Sequence, residues 1–600
     1  MFRTMYHLLL LLTFLVPGAC QPGYADIGIV SNGSSSYVIV LPDDPTQNET
    51  KAAKVLQDYL KRLSGANLNI VAEKNYRQQS GIFIGATEHT GDFNATKLKA
   101  EGFFIATDDK NLYIKGGSGK GVLYGVYTLL ENYFGCRKYA ADPVVVPVSK
   151  TLRLPQRLMD KQEPDFVFRE VLYPSSFNDE FLEWNKLHRF EDLWGLWAHS
   201  YFKMIPPKTY FSSHPEYFAL VGGKRQATQL CLSNDDVFNL AVAYLRKAMA
   251  ARPDAMYWSI SQEDNAGFCQ CDKCRKANQE EGGWQGPVIR FVNRIAAQFP
   301  DKQFATLAYV YTSHPPKKTK PAPNVYIMVS TINASRHEPL SSSPSAAEFR
   351  QDLAGWKALT DKIFIWDYTT EFSNFLAPFP DYDNLQPNIQ YLKAQNVKGI
   401  FSQGSADTYS DMATYNCYLL AKLLWTPSLD EKKLTNDFLN GYYGKAGPYI
   451  GQYMDALSNN VRRTNARLGI YDNPINNYKN YLSSDAMDQY KSILDKAESA
   501  VGNDSVLVKR VQTAALSVEY TSLQQSRFYG TEKKGYMVAM GRSYAVDPKF
   551  PARVNKFIQR SKAAGVKELS EGGANPDDYQ RQWLGLLPVN GRTASLYMRM

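Results

Sequence analysis

Two adjacent carboxylates, Glu263 and Asp264, are the residues of this sequence best suited to acid–base chemistry. They follow the apolar run 256–260, which has the length and composition of a short buried strand, and they precede Asn265 and Gly267, which are typical of a loop. Neighbouring carboxylates repel each other, so their pKa values move apart, and one can hold a proton that the other has lost. The pair indicates an acid and a base in one site; a solvated loop that carries Glu-Asp is the structural alternative.

The elements that must position these carboxylates begin near residue 165, where apolar runs start to alternate with amphipathic segments. Eight runs have the character of strands: 166–173, 193–199, 229–232, 256–261, 304–310, 325–330, 363–368 and 399–403. The clearest helices between them are 236–251, 288–299, 346–359 and 385–394. Eight strands that alternate with helices predict an α/β fold of the (β/α)8 TIM-like barrel type, with a doubly wound sheet as the alternative topology.

In such a barrel the carboxyl ends of the strands form the active site. Glu263 and Asp264 follow the fourth predicted strand and are the candidate catalytic residues. The side chains at other strand ends that are predicted to bind substrate are Trp197, His199, Tyr309, Tyr311, Trp366, Asp367, Tyr368 and Gln403. Aromatic faces stack on sugar rings while polar groups bond to hydroxyls, so carboxylates surrounded by aromatic residues predict a carbohydrate cleft. For each of these residues taken alone, a purely structural role is the alternative interpretation.

Composition supports a large globular protein of several domains. The chain has 600 residues, of which 44% are hydrophobic and 13% aromatic, with 39 Tyr and 9 Trp. This aromatic content suits carbohydrate grooves, although large cores also consume aromatic residues. The net charge of +9 is spread without basic blocks, so nucleic-acid binding is not indicated.

The first 20 residues have the pattern of a signal peptide. Arg3 precedes the apolar run 8–16, which is too short to span a bilayer as a permanent helix. The small residues before Cys20 are typical of a bacterial lipoprotein, in which Cys20 becomes the lipidated first residue, but Pro17 departs from the aliphatic residue usual at its position. Ordinary secretory cleavage is the alternative. We therefore expect an exported protein, secreted or anchored to the outer membrane by lipid, and no later stretch has the pattern of a membrane span.

The remaining chain divides into three predicted regions. Residues 25–150 have the pattern of a small α/β domain, residues 160–428 form the barrel, and residues 429–600 are mainly helical. A glycine-rich turn at 116–121 lacks the Ser or Thr after its lysine and the leading glycine of a phosphate-binding loop, so phosphate binding is rejected there.

Three cysteines in a C-x-C-x-x-C cluster, Cys269, Cys271 and Cys274, lie just after the two carboxylates. With Cys231 they could form a structural zinc site of four thiolates; one disulfide plus a free thiol is the alternative. Such a zinc site leaves no open coordination position, so it takes no part in catalysis, and no catalytic metal or other cofactor is expected.

Four motifs resemble glycoside hydrolase family 163. They are 210–220 (YFSSHPEYFAL), 261–265 (SQEDN) with its cysteine cluster, 365–370 (IWDYTT) and 420–427 (LAKLLWTP). The resemblance covers most of residues 30–450, although related sequences often carry Asn where Glu263 stands. The front domain also resembles those that precede the barrel in family 20 hexosaminidases and family 67 α-glucuronidases.

The resemblance to family 163, which is found in Bacteroides-type gut bacteria, implies an endo-β-N-acetylglucosaminidase that cleaves the GlcNAc-β1,4-GlcNAc core of complex N-glycans on glycoproteins. It implies substrate assistance, in which the 2-acetamido oxygen attacks the anomeric carbon and no enzyme nucleophile is needed. In this scheme Glu263 is the acid/base and Asp264 orients the acetamido group; the reverse assignment is the alternative.

Two other interpretations stay open from the sequence. The shared two-domain layout is also consistent with an exo-acting hexosaminidase or an α-glucuronidase, and for the latter Arg336 and His337 are candidate partners of a uronate. A surface lipoprotein that binds glycans without cleaving them would need only the aromatic residues. Antennary specificity and oligomeric state are not indicated by the sequence.

Overall fold

A computed structural model describes residues 26–77, 80–93 and 97–586. The chain divides into two compact units, one of residues 1–136 and 146–163 and the other of residues 137–145 and 164–600. The predicted signal peptide and Cys20 lie outside the described residues. Within the described ranges, no helix combines the length and the apolar character needed to cross a membrane.

The first unit is a small α/β domain. Its strands and helices are β1 (Asp26–Val30), β2 (Val38–Leu41), α1 (Gln47–Ser64), β3 (Ile70–Ala72), β4 (Gly81–Ile84), β5 (Phe103–Thr107), β6 (Leu112–Gly116), α2 (Gly121–Thr128), β7 (Leu152–Pro155) and β8 (Met159–Gln162). Six strands form one sheet in the order β3-β2-β4-β6-β5-β8, parallel from β3 to β6 and antiparallel beyond. Strands β1 and β7 pair separately.

Glycines of the turn at 116–121 are explained by close backbone packing. A Cβ atom on Gly117 would lie 2.0 Å from the carbonyl oxygen of Lys99, and one on Gly121 would lie 2.1 Å from that of Gly102. Only glycine fits where two backbones approach this closely. The turn therefore has a packing role in joining β6 to α2.

The second unit contains the strands β9 (Phe168–Leu172), β10 (Trp194–Leu196), β11 (Phe218–Val221), β12 (Lys224–Leu230), β13 (Tyr257–Ser259), β14 (Gln303–Ala308), β15 (Val325–Ser330), β16 (Ile363–Tyr368), β17 (Gly399–Gln403), β18 (Met537–Met540) and β19 (Ser543–Val546). Its helices up to the end of the sheet region are α3 (Asp179–Trp184), α4 (Phe190–Leu193), α5 (Tyr201–Met204), α6 (Pro207–Tyr210), α7 (Asp235–Ala251), α8 (Asp272–Glu281), α9 (Gln285–Ala296), α10 (Ala347–Leu359), α11 (Tyr382–Ala394) and α12 (Ala413–Trp425). The helices beyond are α13 (Glu431–Tyr443), α14 (Gly447–Thr464), α15 (Ser484–Val501), α16 (Ser505–Ala514), α17 (Leu516–Tyr529), α18 (Phe550–Ala563) and α19 (Pro576–Leu586).

A parallel sheet of seven strands, in the order β10-β13-β14-β15-β16-β17-β9, forms the centre of this unit. Phe168 of one edge strand and Trp194 of the other have ring centroids only 5.6 Å apart, which shows that the sheet is strongly curled. Buried side chains from all seven strands fill the inside of the curl: Phe168, Trp194, Tyr257, Ala305, Leu307, Met328, Phe364 and Phe401. The predicted fold class is confirmed: a barrel-like α/β sheet, a small preceding domain and a helical C-terminal region.

One of the eight predicted barrel strands is not part of the parallel sheet. Residues 229–232 were expected to be the third barrel strand, but Gln229 and Leu230 instead end β12, which pairs with β11 as an antiparallel hairpin. The turn of the hairpin is Gly222-Gly223, with φ of 56° and 79°. Two positive φ values in a two-residue turn favour antiparallel pairing, and glycine adopts them without strain.

Candidate active site

A cavity of about 210 Å³ lies at the carboxyl ends of the parallel strands. The residues that line it are His199, Asp264, Leu307, Tyr309, Met328, Ser330, Trp366, Tyr368, Gln403, Tyr471 and Glu571. Nine of them come from the parallel strands or the segments that follow, whereas Tyr471 and Glu571 come from loops of the helical C-terminal region.

Asp264 is the member of the sequence-adjacent pair that faces the cavity. Its carboxylate lies near the hydroxyl of Tyr309, which follows β14. Burial, together with the nearby Asp264 carboxylate, raises the pKa of Tyr309 well above its usual value of 10.0. The phenol therefore stays protonated and can donate to Asp264.

Glu263 does not line the cavity, in contrast to the predicted arrangement of two carboxylates in one site. Its Oε1 accepts a hydrogen bond of 2.8 Å from the backbone N–H of Phe202, in the first turn of α5. The loop backbone is fixed by Gln229, whose side chain accepts from the N–H of Glu263 (2.9 Å) and donates to its carbonyl (2.7 Å). Because the backbone is fixed in this way, the Glu263 side chain lies against the Phe202 backbone, whereas the Asp264 side chain faces the cavity.

Glu571 is the second carboxylate of the cavity and was not among the site residues predicted from the sequence. It lies between α18 and α19, and Gln403 Nε2 donates to its Oε1 over 3.4 Å. Burial, together with the negative charges of Glu568 and Asp264, raises the pKa of Glu571 above its usual value of 4.5. Because Asp264 contributes to this shift, the two carboxylates interact across the cavity.

Trp366 forms the main aromatic surface of the cavity. Its Nε1 donates to Gln403 Oε1 over 2.7 Å, which orients both side chains. The predicted binding residue Trp197 lies behind it rather than in the cavity, with the two rings stacked at 5.4 Å and 20°. Phe401 packs edge-on at 4.8 Å. The indole of Trp366 is thus held rigidly from behind while its other side contacts the cavity.

His199 and Tyr309 are connected through Gln262. The Nδ1 of His199 donates to the carbonyl of Gln262 over 2.5 Å, and since a carbonyl only accepts, this nitrogen carries hydrogen. The Gln262 side chain donates to Thr312 Oγ1 (2.7 Å) and to the Tyr309 carbonyl (3.3 Å). Val310 has φ of 54°, a strained value for a β-branched residue, so these contacts hold the Tyr309 loop against local preference.

The other predicted binding residues separate into two groups. Tyr368 lines the cavity with Ser330, whose hydroxyl lies 3.4 Å from that of Tyr368. Tyr311 lies outside it, beside Phe268 in a pocket next to the cysteine cluster. Asp367 is also outside, where it accepts from Thr331 Oγ1 over 2.6 Å. The structure therefore brings His199, Tyr309, Trp366, Tyr368 and Gln403 together with Asp264 and excludes Trp197, Tyr311 and Asp367.

The segment 371–375 holds both C-terminal loops at the cavity. The N–H of Phe372 donates to the carbonyl of Ile470 (2.7 Å), and the Phe372 carbonyl accepts from the N–H of Glu571 (2.8 Å). Glu371 Oε1 accepts from the N–H of Asp472 over 3.1 Å, and burial raises the pKa of Glu371 to about 8. Tyr471 and Glu571 are thus positioned by one loop that follows β16.

One group of residues able to bind a metal lies in and beside the loop that carries Asp264. The four predicted thiols, those of Cys231, Cys269, Cys271 and Cys274, come together with all Sγ atoms within 4.8 Å of one another. None of them is in a disulfide.

Comparison with known proteins agrees with this architecture. Residues 32–129 match the family model described as the glycosyl hydrolase family 67 N-terminus, which confirms the predicted likeness of the front domain to that family. A family 115 4-O-methyl-α-glucuronidase with specificity for decorated arabinogalactans has a similar structure, with a TM-score of 0.52 and 13% identity over 90% of this chain and 77% of the other. The family 20 β-N-acetylhexosaminidase of Streptomyces coelicolor A3(2) is also similar, with a TM-score of 0.42 and 13% identity over 72% of this chain and 94% of the other.

The similarity to the family 115 structure concerns the fold alone. No curated protein matches the sequence significantly. Residues 138–455 match the family model described as Domain of unknown function (DUF4838), and this match spans more than half of the chain. The protein therefore belongs to the DUF4838 family.

Proposed function

We propose that this protein is a glycoside hydrolase that cleaves the GlcNAc-β1,4-GlcNAc core of complex N-glycans, with Asp264 as the acid/base. The observation that carries the proposal is the position of Asp264. It lies beside Tyr309 at the carboxyl end of a barrel-like sheet, in a cavity with an aromatic surface at Trp366 and a second carboxylate at Glu571. This combination provides a stacking surface for a sugar ring and groups for proton transfer and charge stabilisation.

The cavity suits a neutral sugar better than a uronic acid. Among the described residues that line it there is no Lys or Arg, and two are carboxylates, which would repel a uronate. The candidate uronate partner Arg336 is buried and donates to the backbone carbonyls of Tyr368 (2.8 Å) and Thr331 (3.1 Å). His337 is likewise outside the cavity, bonded to Ser335 Oγ over 2.7 Å. The α-glucuronidase alternative therefore lacks a Lys or Arg among the described residues of this site.

The chemistry proposed is substrate-assisted. The carbonyl oxygen of the 2-acetamido group forms a bond to the anomeric carbon while the glycosidic C–O bond breaks, and Asp264 gives its proton to the leaving oxygen. The product of this step is an oxazolinium ion. Water then attacks the anomeric carbon and releases the acetamido oxygen, while the Asp264 carboxylate takes the proton of the water. The sugar leaves with its original anomeric configuration.

Glu571 supplies the charge that the oxazolinium ion requires. Its carboxylate is on the same cavity wall as Gln403, next to the Trp366 indole that would stack on the sugar. An ionised Glu571 stabilises the positive charge that develops in the first step and can accept the acetamido N–H. From the sequence this role was predicted for Asp264, which in the present proposal takes the acid/base role that was predicted for Glu263.

Tyr471 favours action within a glycan rather than at its end. Its side chain is at the cavity and 58% exposed, so it offers an aromatic surface to a second sugar on the leaving side. The motifs similar to family 163 support the same specificity. An exo-acting hexosaminidase remains the second candidate, and it would release single N-acetylglucosamine units instead of whole glycans.

Incubation with a glycoprotein that carries fucose-free complex N-glycans tests the proposal. We expect mass spectrometry to show intact released glycans that end in a single GlcNAc, with the other GlcNAc left on the protein. A GlcNAc-thiazoline should inhibit the reaction, because it mimics the oxazolinium ion. Release of monosaccharides only would indicate exo action, and unimpaired activity at saturating thiazoline would contradict substrate assistance.

A further inference from the structure

Four cysteine side chains from two separate stretches of sequence meet beside the loop that carries Asp264. Cys231 follows β12, Cys269 and Cys271 lie in the loop that begins at Asp264, and Cys274 is in the first turn of α8. Three of these side chains are buried and Cys271 is half-buried. They form a small cluster of their own with Ala219, packed against Trp284.

The spacing of the sulfur atoms fits a tetrahedral metal site. All four Sγ atoms are within 4.8 Å of one another, and those of Cys231 and Cys271 are 3.7 Å apart. Zinc binds thiolates at about 2.3 Å, which places two sulfurs of a tetrahedral site about 3.8 Å apart. Neutral thiols have no comparable reason to gather as a group of four in a protein interior.

Groups around the sulfurs are suited to stabilise thiolates. The backbone N–H of Leu220 donates to Cys269 Sγ over 3.4 Å, and Arg225 Nη1 is 4.0 Å from the same atom. Ser233 Oγ is 3.2 Å from Cys274 Sγ and 3.5 Å from those of Cys231 and Cys271. A zinc ion with four thiolates carries a net charge of −2, which an arginine and N–H or O–H donors compensate.

We propose that Cys231, Cys269, Cys271 and Cys274 bind one zinc ion, which fixes the β11–β12 hairpin to the loop that carries Asp264. The protein fills all four coordination positions, so the ion takes no substrate and no catalytic water. Its effect on catalysis is indirect, through the position of the loop. The inference does not depend on the proposed hydrolase activity.

Metal analysis of the full-length protein, purified without chelators, tests the site. We expect one zinc per chain by mass spectrometry of the dissolved metal. The variants Cys269→Ser and Cys274→Ser should lose most of it, whereas Cys417→Ala, which removes a buried thiol of α12 outside the cluster, should keep it. Replacement of zinc by cobalt in the wild-type protein should give sulfur-to-metal charge-transfer bands and the visible bands of tetrahedral cobalt.

The cobalt spectrum keeps the test decisive if the serine variants do not fold, because it needs only the wild-type protein. Titration of thiols in the denatured, unreduced and metal-free protein is the complementary measurement. We expect the four cysteines of the cluster to react. Wild-type protein without stoichiometric zinc, a cobalt spectrum without sulfur charge transfer, or four thiols lost to disulfides would each overturn the proposal.

Discussion

Two carboxylates contributed by distant parts of the chain share the cavity, and each has a distinct environment. Both side chains are exposed, but Asp264 lies beside the phenol of Tyr309, whereas Glu571 is close to Glu568. Because the two carboxylates interact, they titrate as a pair, and the proposed mechanism uses the form in which Asp264 carries the proton and Glu571 is ionised. The acidic side of the pH–rate profile should therefore report the ionisation of Glu571.

The pH dependence follows from the raised pKa of Glu571. Its negative charge is present above that pKa and is lost as the pH falls through it, so kcat/KM should begin to fall at a higher pH than an ordinary glutamate would give. Glu571→Gln should remove this acidic limb and lower the rate at neutral pH by roughly 10²-fold.

Glu568→Gln is the matched control for this prediction. Glu568 raises the pKa of Glu571 through its charge, so its loss should move the acidic limb to lower pH and leave the rate at neutral pH nearly unchanged. An acidic limb that stays in place in both variants would show that Glu571 does not govern it.

The loop after β16 is the element on which the completed cavity depends. Glu371 accepts the N–H groups of Ser373 (2.9 Å) and Asp472 (3.1 Å) and so ties the Tyr471 loop to the sheet. Burial raises the pKa of this carboxyl to about 8, so it is mostly protonated in the folded protein at neutral pH.

This shift predicts how stability changes with pH. Because the folded pKa is raised, the unfolded chain ionises first, and the free energy of unfolding should fall as the pH rises from about 4.5 to about 8. The loss due to Glu371 is at most about 5 kcal/mol, at roughly 1.4 kcal/mol per pKa unit. The variant Glu371→Gln keeps an accepting oxygen but cannot ionise. Its free energy of unfolding, measured with denaturant, should lack this decrease with rising pH. A variant with the same pH dependence as the wild type would contradict the assignment.

Gln229, at the end of β12, is predicted to position Asp264 through the backbone of Glu263. Gln229→Ala should leave the N–H and carbonyl of Glu263 unpaired, cost roughly 1–3 kcal/mol of stability and lower kcat more than it changes KM. Gln226→Ala, in the exposed part of the same strand, should change neither. Equal effects of the two substitutions would mean that Gln229 has no positioning role.

Local apolar patterns in the sequence predicted most strands of the parallel sheet. Seven of the eight apolar runs are strands of the parallel sheet, because buried strands need apolar residues over their whole length. Residues 229–232 also form an apolar run, but the Gly222-Gly223 turn before them was the signal of a hairpin. Periodicity alone does not decide whether a strand joins the barrel sheet or pairs with its sequence neighbour.

The composition of the cavity depends on the whole molecule, and this part could not be predicted from the sequence. Asp264, Tyr309, Trp366 and Gln403 were identifiable because they stand at strand ends. Glu571 is more than 300 residues from Asp264 and lies in a loop with no distinguishing motif, so only the docking of the helical region on the segment 371–375 brings it to the site. Distant residues likewise fix Glu263, whose side chain accepts from the N–H of Phe202 and whose backbone is bonded to Gln229.

The central claim is that Asp264 transfers the proton when the glycan is cleaved. The most direct test compares turnover of an N-glycoprotein by Asp264→Asn and by Glu263→Gln, with substrate binding measured for both. We expect Asp264→Asn to bind the substrate and to lose about 10²–10⁴-fold in rate, and Glu263→Gln to retain much more activity. Activity that survives in Asp264→Asn but disappears in Glu263→Gln would contradict the account.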